Sequence, residues 1–182
     1  MAKALLFLAP GFEEIEALSI VDTLRRAGVE VVMVGLKKGS IEGAHGVIVM
    51  PDSAMDAITI EDFDAVVLPG GNPGYLNLGK DPRVLDVATK AFETGKIVAA
   101  ICAAPSVLAK GGILQGKKAT IYPGMESFLT GSEPVNERVV VDGTVVTSQG
   151  PGTALEFGIK LVELLVGTQK AQELKAELVV NF

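Results

Sequence analysis

Few residues in this sequence can do covalent chemistry, and one of them is unique. Cys102 is the only cysteine, inside the stretch from Ile97 to Lys110, Ile-Val-Ala-Ala-Ile-Cys-Ala-Ala-Pro-Ser-Val-Leu-Ala-Lys. The stretch opens as an apolar run of strand length and continues as small residues at helical spacing. A strand that breaks sharply into a helix exposes the turn residue's side chain and points the helix's free amides at it. A thiol so placed is expected to ionise more easily than a free cysteine, because the positive end of the helix dipole favours the thiolate. The layout is that of a nucleophile elbow, with Cys where other hydrolases carry Ser. The competing reading is a small buried thiol at a strand end.

Other residues gain meaning from that thiol. Glu16 falls in the first turns of the first expected helix. A carboxyl buried beside the thiolate would hold its proton, donate a hydrogen bond and shuttle that proton. Alternatively it complements the helix dipole, a role that suits Glu13 and Glu14 better. Gly70-Gly71 would bring a backbone N–H near a substrate oxygen, and with the Ala103 amide would form an oxyanion hole; the alternative is a turn that merely needs glycine. His45 is the only histidine and lies in a polar loop region, so a solvated loop histidine is expected rather than a Cys102–His45 dyad. Gly74 to Asp81 nearly matches a phosphate-binding P-loop, but Asp81 replaces the required Ser/Thr, and Asp81-Pro82 reads better as a helix start. No dinucleotide fingerprint follows the first strand, so no nicotinamide cofactor is expected.

The elements that must position these residues alternate. Lys3–Leu8 is apolar throughout, as a strand buried on both faces should be. A helix follows over 13–27, with an apolar stripe at Ile15, Leu18, Val21 and Leu24, Arg25 and Arg26 in its last turn and Gly28 as its stop. A strand over 29–34, a polar Gly-rich stretch over 37–46 expected to form a small β-hairpin or excursion, and a short strand over 47–50 come next. Asp52 or Ser53 is expected to cap a short helical turn reaching Ile58. A strand over 64–68 leads into the loop 69–74, and a helix runs from Pro82 to about Thr94. After the elbow come a short strand over 119–121, a hairpin of 138–141 with 144–147 around Asp142-Gly143, and a helix over 153–166, with helical character again over 171–174. Alternating strands and helices predict an α/β fold, an open and mostly parallel sheet sandwiched by helices. Ligands of such sheets sit beyond the carboxyl ends of the strands, where the loops 10–16 and 69–74 and Cys102 all fall.

The bulk properties narrow the function. A chain of 182 residues fits one domain, 1–182. A net charge of −6 argues against nucleic acid or an anionic membrane surface as a partner. No apolar run is long enough to cross a membrane, and the run 4–9 is too short for a signal peptide. One Cys and one His exclude an intrachain disulfide and a Cys/His zinc cluster, so no metal is expected. A lone thiol points to the cytoplasm.

The motifs Gly11-Phe12-Glu13-Glu14-Ile15-Glu16, Leu68-Pro69-Gly70-Gly71-Asn72, Ala100-Ile101-Cys102-Ala103-Ala104-Pro105 and Thr147-Ser148-Gln149-Gly150-Pro151-Gly152-Thr153 together closely resemble the ThiJ/PfpI family, in the branch of the Parkinsonism-associated deglycase and its bacterial relatives. The resemblance spans about Lys3 to Leu178. It implies a flavodoxin-like fold, a homodimer, and no cofactor. It also implies roles: Cys102 as the reactive, oxidation-prone cysteine, Glu16 as the protonated glutamate bound to it, the Gly71 and Ala103 amides as oxyanion or sulfinate ligands, and Arg26 as an arginine near the dimer interface. Three departures stand out. Tyr122 occupies the place of a histidine that many members carry about twenty residues after the cysteine. Ala103 stands where the peptidase branch needs a histidine. His45 falls where relatives often carry an arginine reaching toward the partner subunit's site. The implied activity is a glutathione-independent glyoxalase- or deglycase-like reaction on small reactive carbonyls or glycated adducts. The alternatives are a redox sensor or chaperone that uses the same cysteine, and a binding module without chemistry.

Overall fold

The computed structural model describes residues 1–182. In chain order the strands are β1 Lys3–Leu8, β2 Glu30–Gly35, β3 Ile41–Glu42, β4 Ile48–Val49, β5 Ser53–Ala54, β6 Ala65–Leu68, β7 Ile97–Ile101, β8 Lys118–Ala119, β9 Glu133–Pro134, β10 Val139–Asp142 and β11 Val145–Ser148. The helices are α1 Glu14–Arg26, α2 Gly74–Lys80, α3 Pro82–Glu93, α4 Pro105–Lys110, α5 Ala154–Val166 and α6 Thr168–Glu177. Seven strands form the central sheet in the order β10-β11-β7-β6-β1-β2-β5, parallel except for the β10–β11 hairpin. β3 pairs antiparallel with β4 in a small separate hairpin, and β8 lies parallel to β9.

The sheet is covered on both faces, which is why β1 carries no polar residue from Ala4 onward. Ala4, Leu6 and Leu8 point into a core shared with Ile20 and Leu24 of α1 and Phe157 and Leu161 of α5. Leu5 and Phe7 point the other way, to Val84 of α3 and Leu108 of α4. This is the period-two alternation of a strand with an apolar layer on each side. Each fully buried leucine or phenylalanine among these contributes roughly 1.5–3 kcal/mol.

α1 begins after Glu13, whose carboxylate accepts from the Ile15 amide, and stops at Gly28 with φ 82°. Its buried face is Ala17, Ile20, Val21 and Leu24, so only the second half of the stripe read from the sequence is buried: Ile15 is 58% exposed and Leu18 36%. The expected stripe omitted Ala17 and Ile20, which turn the inward face by part of a turn.

Three further expectations change. Ser53–Ala54 is not a helix cap; it adds an edge strand to Val34 and Gly35, and a 3-10 turn over Met55–Ala57 follows without a side-chain cap. The loop expected over 69–74 leads into a helix that had no counterpart in the sequence reading: Gly74–Lys80 is α2, tied down where the Asn77 side chain donates to the Pro10 carbonyl at 2.9 Å. The strand expected over 119–121 is shorter and earlier, because only Lys118 and Ala119 find a partner, in β9.

Candidate active site

β7 ends at Ile101 and α4 begins at Pro105, so Cys102 occupies the break between them. Its φ of 63° is left-handed, one of two such values on a non-glycine residue in the chain. That conformation costs about 1–2 kcal/mol and persists only where neighbours fix it. They do so on both sides. The Cys102 amide donates to the Ser148 carbonyl at 3.0 Å, and the Cys102 carbonyl accepts from the Tyr122 amide at 2.9 Å. Ser148 is itself held, its buried hydroxyl donating to the Arg138 carbonyl (2.8 Å) and lying 2.6 Å from Thr153 Oγ1. The motif from Thr147 to Thr153 thus anchors the elbow to β11. Spacing alone gave Ser148 no role, because the bond is made across the sheet by main-chain atoms.

Glu16 comes from the first turn of α1 and is fully buried. Its Oε2 accepts from the Gly70 amide at 2.7 Å, while Oε1 is buried without a well-formed hydrogen bond. Gly70 fits between carboxyl and thiol because it lacks a side chain. A Cβ there would stand 2.6 Å from Cys102 Cβ, 2.8 Å from Glu16 Oε2 and 3.1 Å from Sγ. Gly71 follows with φ 93°, a value suited to glycine.

The electrostatics follow from burial. Desolvation pushes the Glu16 carboxyl up to about 7, against the Gly70 amide and the Cys102 thiol, which favour its charged form. The Cys102 thiol is pushed up to about 12, first by burial and then by the Glu16 charge and its hydrogen bond; the Ala103 and Gly71 amides pull the other way. The expected easily ionised thiol is therefore not what the structure holds while Glu16 carries charge. Helix α4 is six residues long and opens on Pro105, which has no amide to offer. The two groups titrate as a pair, so between the two values the site holds one negative charge and one proton.

The structure thus brings together Cys102, Glu16, Gly70, Gly71 and Ala103. It leaves the other candidates apart. His45 is 71% exposed, with Nδ1 2.9 Å from Glu14 Oε2 and 3.5 Å from Glu13 Oε2. It is therefore a paired histidine, not a merely solvated one, and its pKa is raised, chiefly by the hydrogen bond to Glu14. Burial raises the Glu14 carboxyl, but the His45 side chain and the amides of His45 and Val47 outweigh it and hold the pKa below the usual value. Glu13, Glu14 and His45 are the one grouping whose donor atoms gather within 4.8 Å, and ion pairing accounts for it. Tyr122 lends its backbone to the elbow, while its half-exposed ring lies over Gly150. Arg26 ties α1 to α6, with Nε 2.7 Å from Asp22 and Nη1 2.8 Å from Glu177.

The model of the DJ-1/PfpI family matches residues 2–164. Drosophila melanogaster dj-1beta is 42% identical over 183 residues, covering 99% of this chain and 98% of that protein. A deglycase of Pyrococcus abyssi is 36% identical over 166 residues, covering 90% of this chain and 99% of the relative. The oxidized DJ-1 of Toxoplasma gondii superimposes with a TM-score of 0.96 at 37% identity, over the whole of both chains. With a family model matched over most of its length and relatives at this identity over nearly all of it, the chain belongs to the DJ-1/PfpI family.

Proposed function

We propose that this protein is a cysteine-dependent, cofactor-independent enzyme acting on small reactive carbonyls or glycated adducts. One observation carries the reading: the buried Glu16 carboxyl is held by Gly70 with its second oxygen free, beside a thiol on a strained elbow. The pair's single charge is enough to make a thiolate whenever the proton rests on Glu16. The sulfur adds to the aldehyde carbon of an α-oxoaldehyde such as methylglyoxal, and Glu16 protonates the oxygen, giving a hemithioacetal. The Glu16 carboxylate then takes the proton from that carbon and returns it to the neighbouring one, converting the hemithioacetal to a thioester. Water cleaves the thioester, releasing lactate and restoring the thiol. No external oxidant or reductant is needed, since one carbon is oxidised as its neighbour is reduced. The Gly71 and Ala103 amides hold the oxygen where charge develops. The P. abyssi relative named a deglycase supports carbonyl chemistry of this kind.

The test is methylglyoxal consumption by purified protein without glutathione, beside Cys102→Ser. Loss of substrate with the wild type alone is expected; equal consumption by both refutes the assignment.

A second reading rests on the same sulfur. The Gly71 and Ala103 amides and a protonated Glu16 surround it with donors, which suits a sulfinate formed by two equivalents of peroxide. On this reading peroxide adds two oxygens at Cys102 ahead of the methionines, measured by mass spectrometry.

Two further properties belong to the proposal. One is a cytoplasmic location, which keeps the lone thiol reduced; no helix is long and apolar enough to cross a membrane. The other is a homodimer. Ile15 and Leu18 on α1 and Val47, Ile48 and Met50 around β4 are exposed apolar residues. They adjoin, because Glu14 accepts from the amides of both His45 and Val47. A two-fold pairing would cover this face.

A further inference from the structure

At the carboxyl ends of β1 and β2, a cleft of about 700 Å³ opens between the segment 36–41, the end of α2 and the start of α3. It is lined by Lys37, Lys38, Lys80 and Arg83 against one carboxylate, Asp81. The charge is unneutralised in a specific way. Among the lysines of this chain, only Lys37, Lys38, Lys80 and Lys118 have an ammonium with neither an ion pair nor a hydrogen bond, and three of these four line this cleft, Lys38 and Lys80 at its margins. Asp81 does not serve them. Its carboxylate is taken by the Arg83 amide (3.0 Å), Arg83 Nε (3.0 Å) and Arg83 Nη2 (2.7 Å). Arg83 also binds Asp56 at 2.8 Å and donates to the Leu36 carbonyl at 2.9 Å, so it braces the two walls of the cleft.

A protein of net charge −6 that gathers three unpaired ammoniums in a concavity concentrates a local positive field. The volume is that of a small-molecule site. Lysine acts on phosphate as a point charge, and three of them from two chain segments can address several oxygens at once.

We infer that this cleft binds the phosphate group of a small molecule, at a site separate from Cys102. The shared chemistry is the phosphate; its source is either the free anion or a phosphomonoester. Arg83 supplies the frame, and Lys37, Lys38 and Lys80 supply the charge. All three lysines are exposed at the surface, so alanine there leaves the cores intact.

The experiment is calorimetric titration, at low ionic strength, with inorganic phosphate, pyrophosphate and glucose 6-phosphate. It compares wild type, Cys102→Ser, the triple change Lys37→Ala/Lys38→Ala/Lys80→Ala, and Lys118→Ala as a control for loss of an unpaired lysine outside the cleft. Saturable binding is expected in wild type and Cys102→Ser, weakened at least about tenfold in the triple variant and unchanged in Lys118→Ala. Glucose 6-phosphate binding more tightly than phosphate assigns the site to a phosphoester; equal binding assigns it to the free anion. No saturable binding of any probe, full binding by the triple variant, or an equal loss in Lys118→Ala overturns the inference.

Discussion

The Gly70 amide donates to Glu16 Oε2 across 2.7 Å, and this bond holds the carboxyl beside the thiol. The position tolerates nothing larger, since a Cβ would stand 2.6 Å from Cys102 Cβ. Gly70→Ala must therefore move either the elbow or Glu16. A fall in stability of about 1–3 kcal/mol is expected in urea denaturation, with a loss of methylglyoxal turnover larger than the unfolded fraction explains. A Gly70→Ala protein with wild-type activity would show that the carboxyl–thiol distance does not matter.

The Glu16 proton also couples folding to pH. In the native state it is held up to about 7, against a usual value of 4.5. Between those values the native protein binds more protons than the unfolded chain, so this contribution is complete below pH 4.5 and is lost as pH rises through 7. The span corresponds to roughly 3 kcal/mol. Glu16→Gln keeps an acceptor for the Gly70 amide but cannot titrate. The urea midpoint of wild type should therefore fall relative to that of Glu16→Gln as pH rises across that window; a constant difference would mean that Glu16 titrates normally.

The sheet, and the edge at which the candidate residues gather, were legible because parallel strands put their ligand loops at one edge. β1, β6 and β7 are short apolar runs that lead into Pro10-Gly11, Pro69-Gly70 and Cys102. Partners made across the chain were not legible. Glu14 and His45 are 31 residues apart and meet only because the β3–β4 hairpin folds over the start of α1. α2 was hidden because Gly74 and Gly79 read as loop residues; in the fold, Gly79 faces Val107 of α4, where a Cβ would stand 3.3 Å away. The acidity of Cys102 was misjudged for a related reason. Helix position is visible in a sequence, whereas the depth of a buried carboxyl beside the thiol is not.

Ser148 is the distant support of the elbow, and its carbonyl holds the Cys102 amide. Ser148→Ala removes the hydroxyl that bonds Arg138 and Thr153. A loss of about 1–2 kcal/mol is expected from a buried hydrogen bond, measured by thermal or urea denaturation, with reduced turnover as the end of β11 loosens. Unchanged stability would remove Ser148 from the framework of the site.

If the face around Ile15 and Ile48 joins two protomers, a charge there should separate them. Ile15 is 58% exposed in the single chain, so Ile15→Asp costs the monomer little. Sedimentation should show a dimer for wild type and a monomer for Ile15→Asp. A wild type that sediments as a monomer at micromolar concentration would rule out the pairing.

The reaction itself should report the Glu16–Cys102 pair. Below about pH 7 the pair holds two protons and no charge, so neither a thiolate nor a base is present. Above it, one charge is shared between sulfur and carboxyl, and both roles become available by moving a single proton. kcat/KM for methylglyoxal should therefore rise about tenfold per pH unit below 7 and level off above it. Glu16→Gln should lower it by roughly 10²–10⁴ and abolish the inflection near 7, because the remaining thiol no longer has a partner to share its proton. A Glu16→Gln enzyme that keeps the inflection would assign it to another group, and His45, whose pKa is raised by Glu14, would then be the residue to substitute.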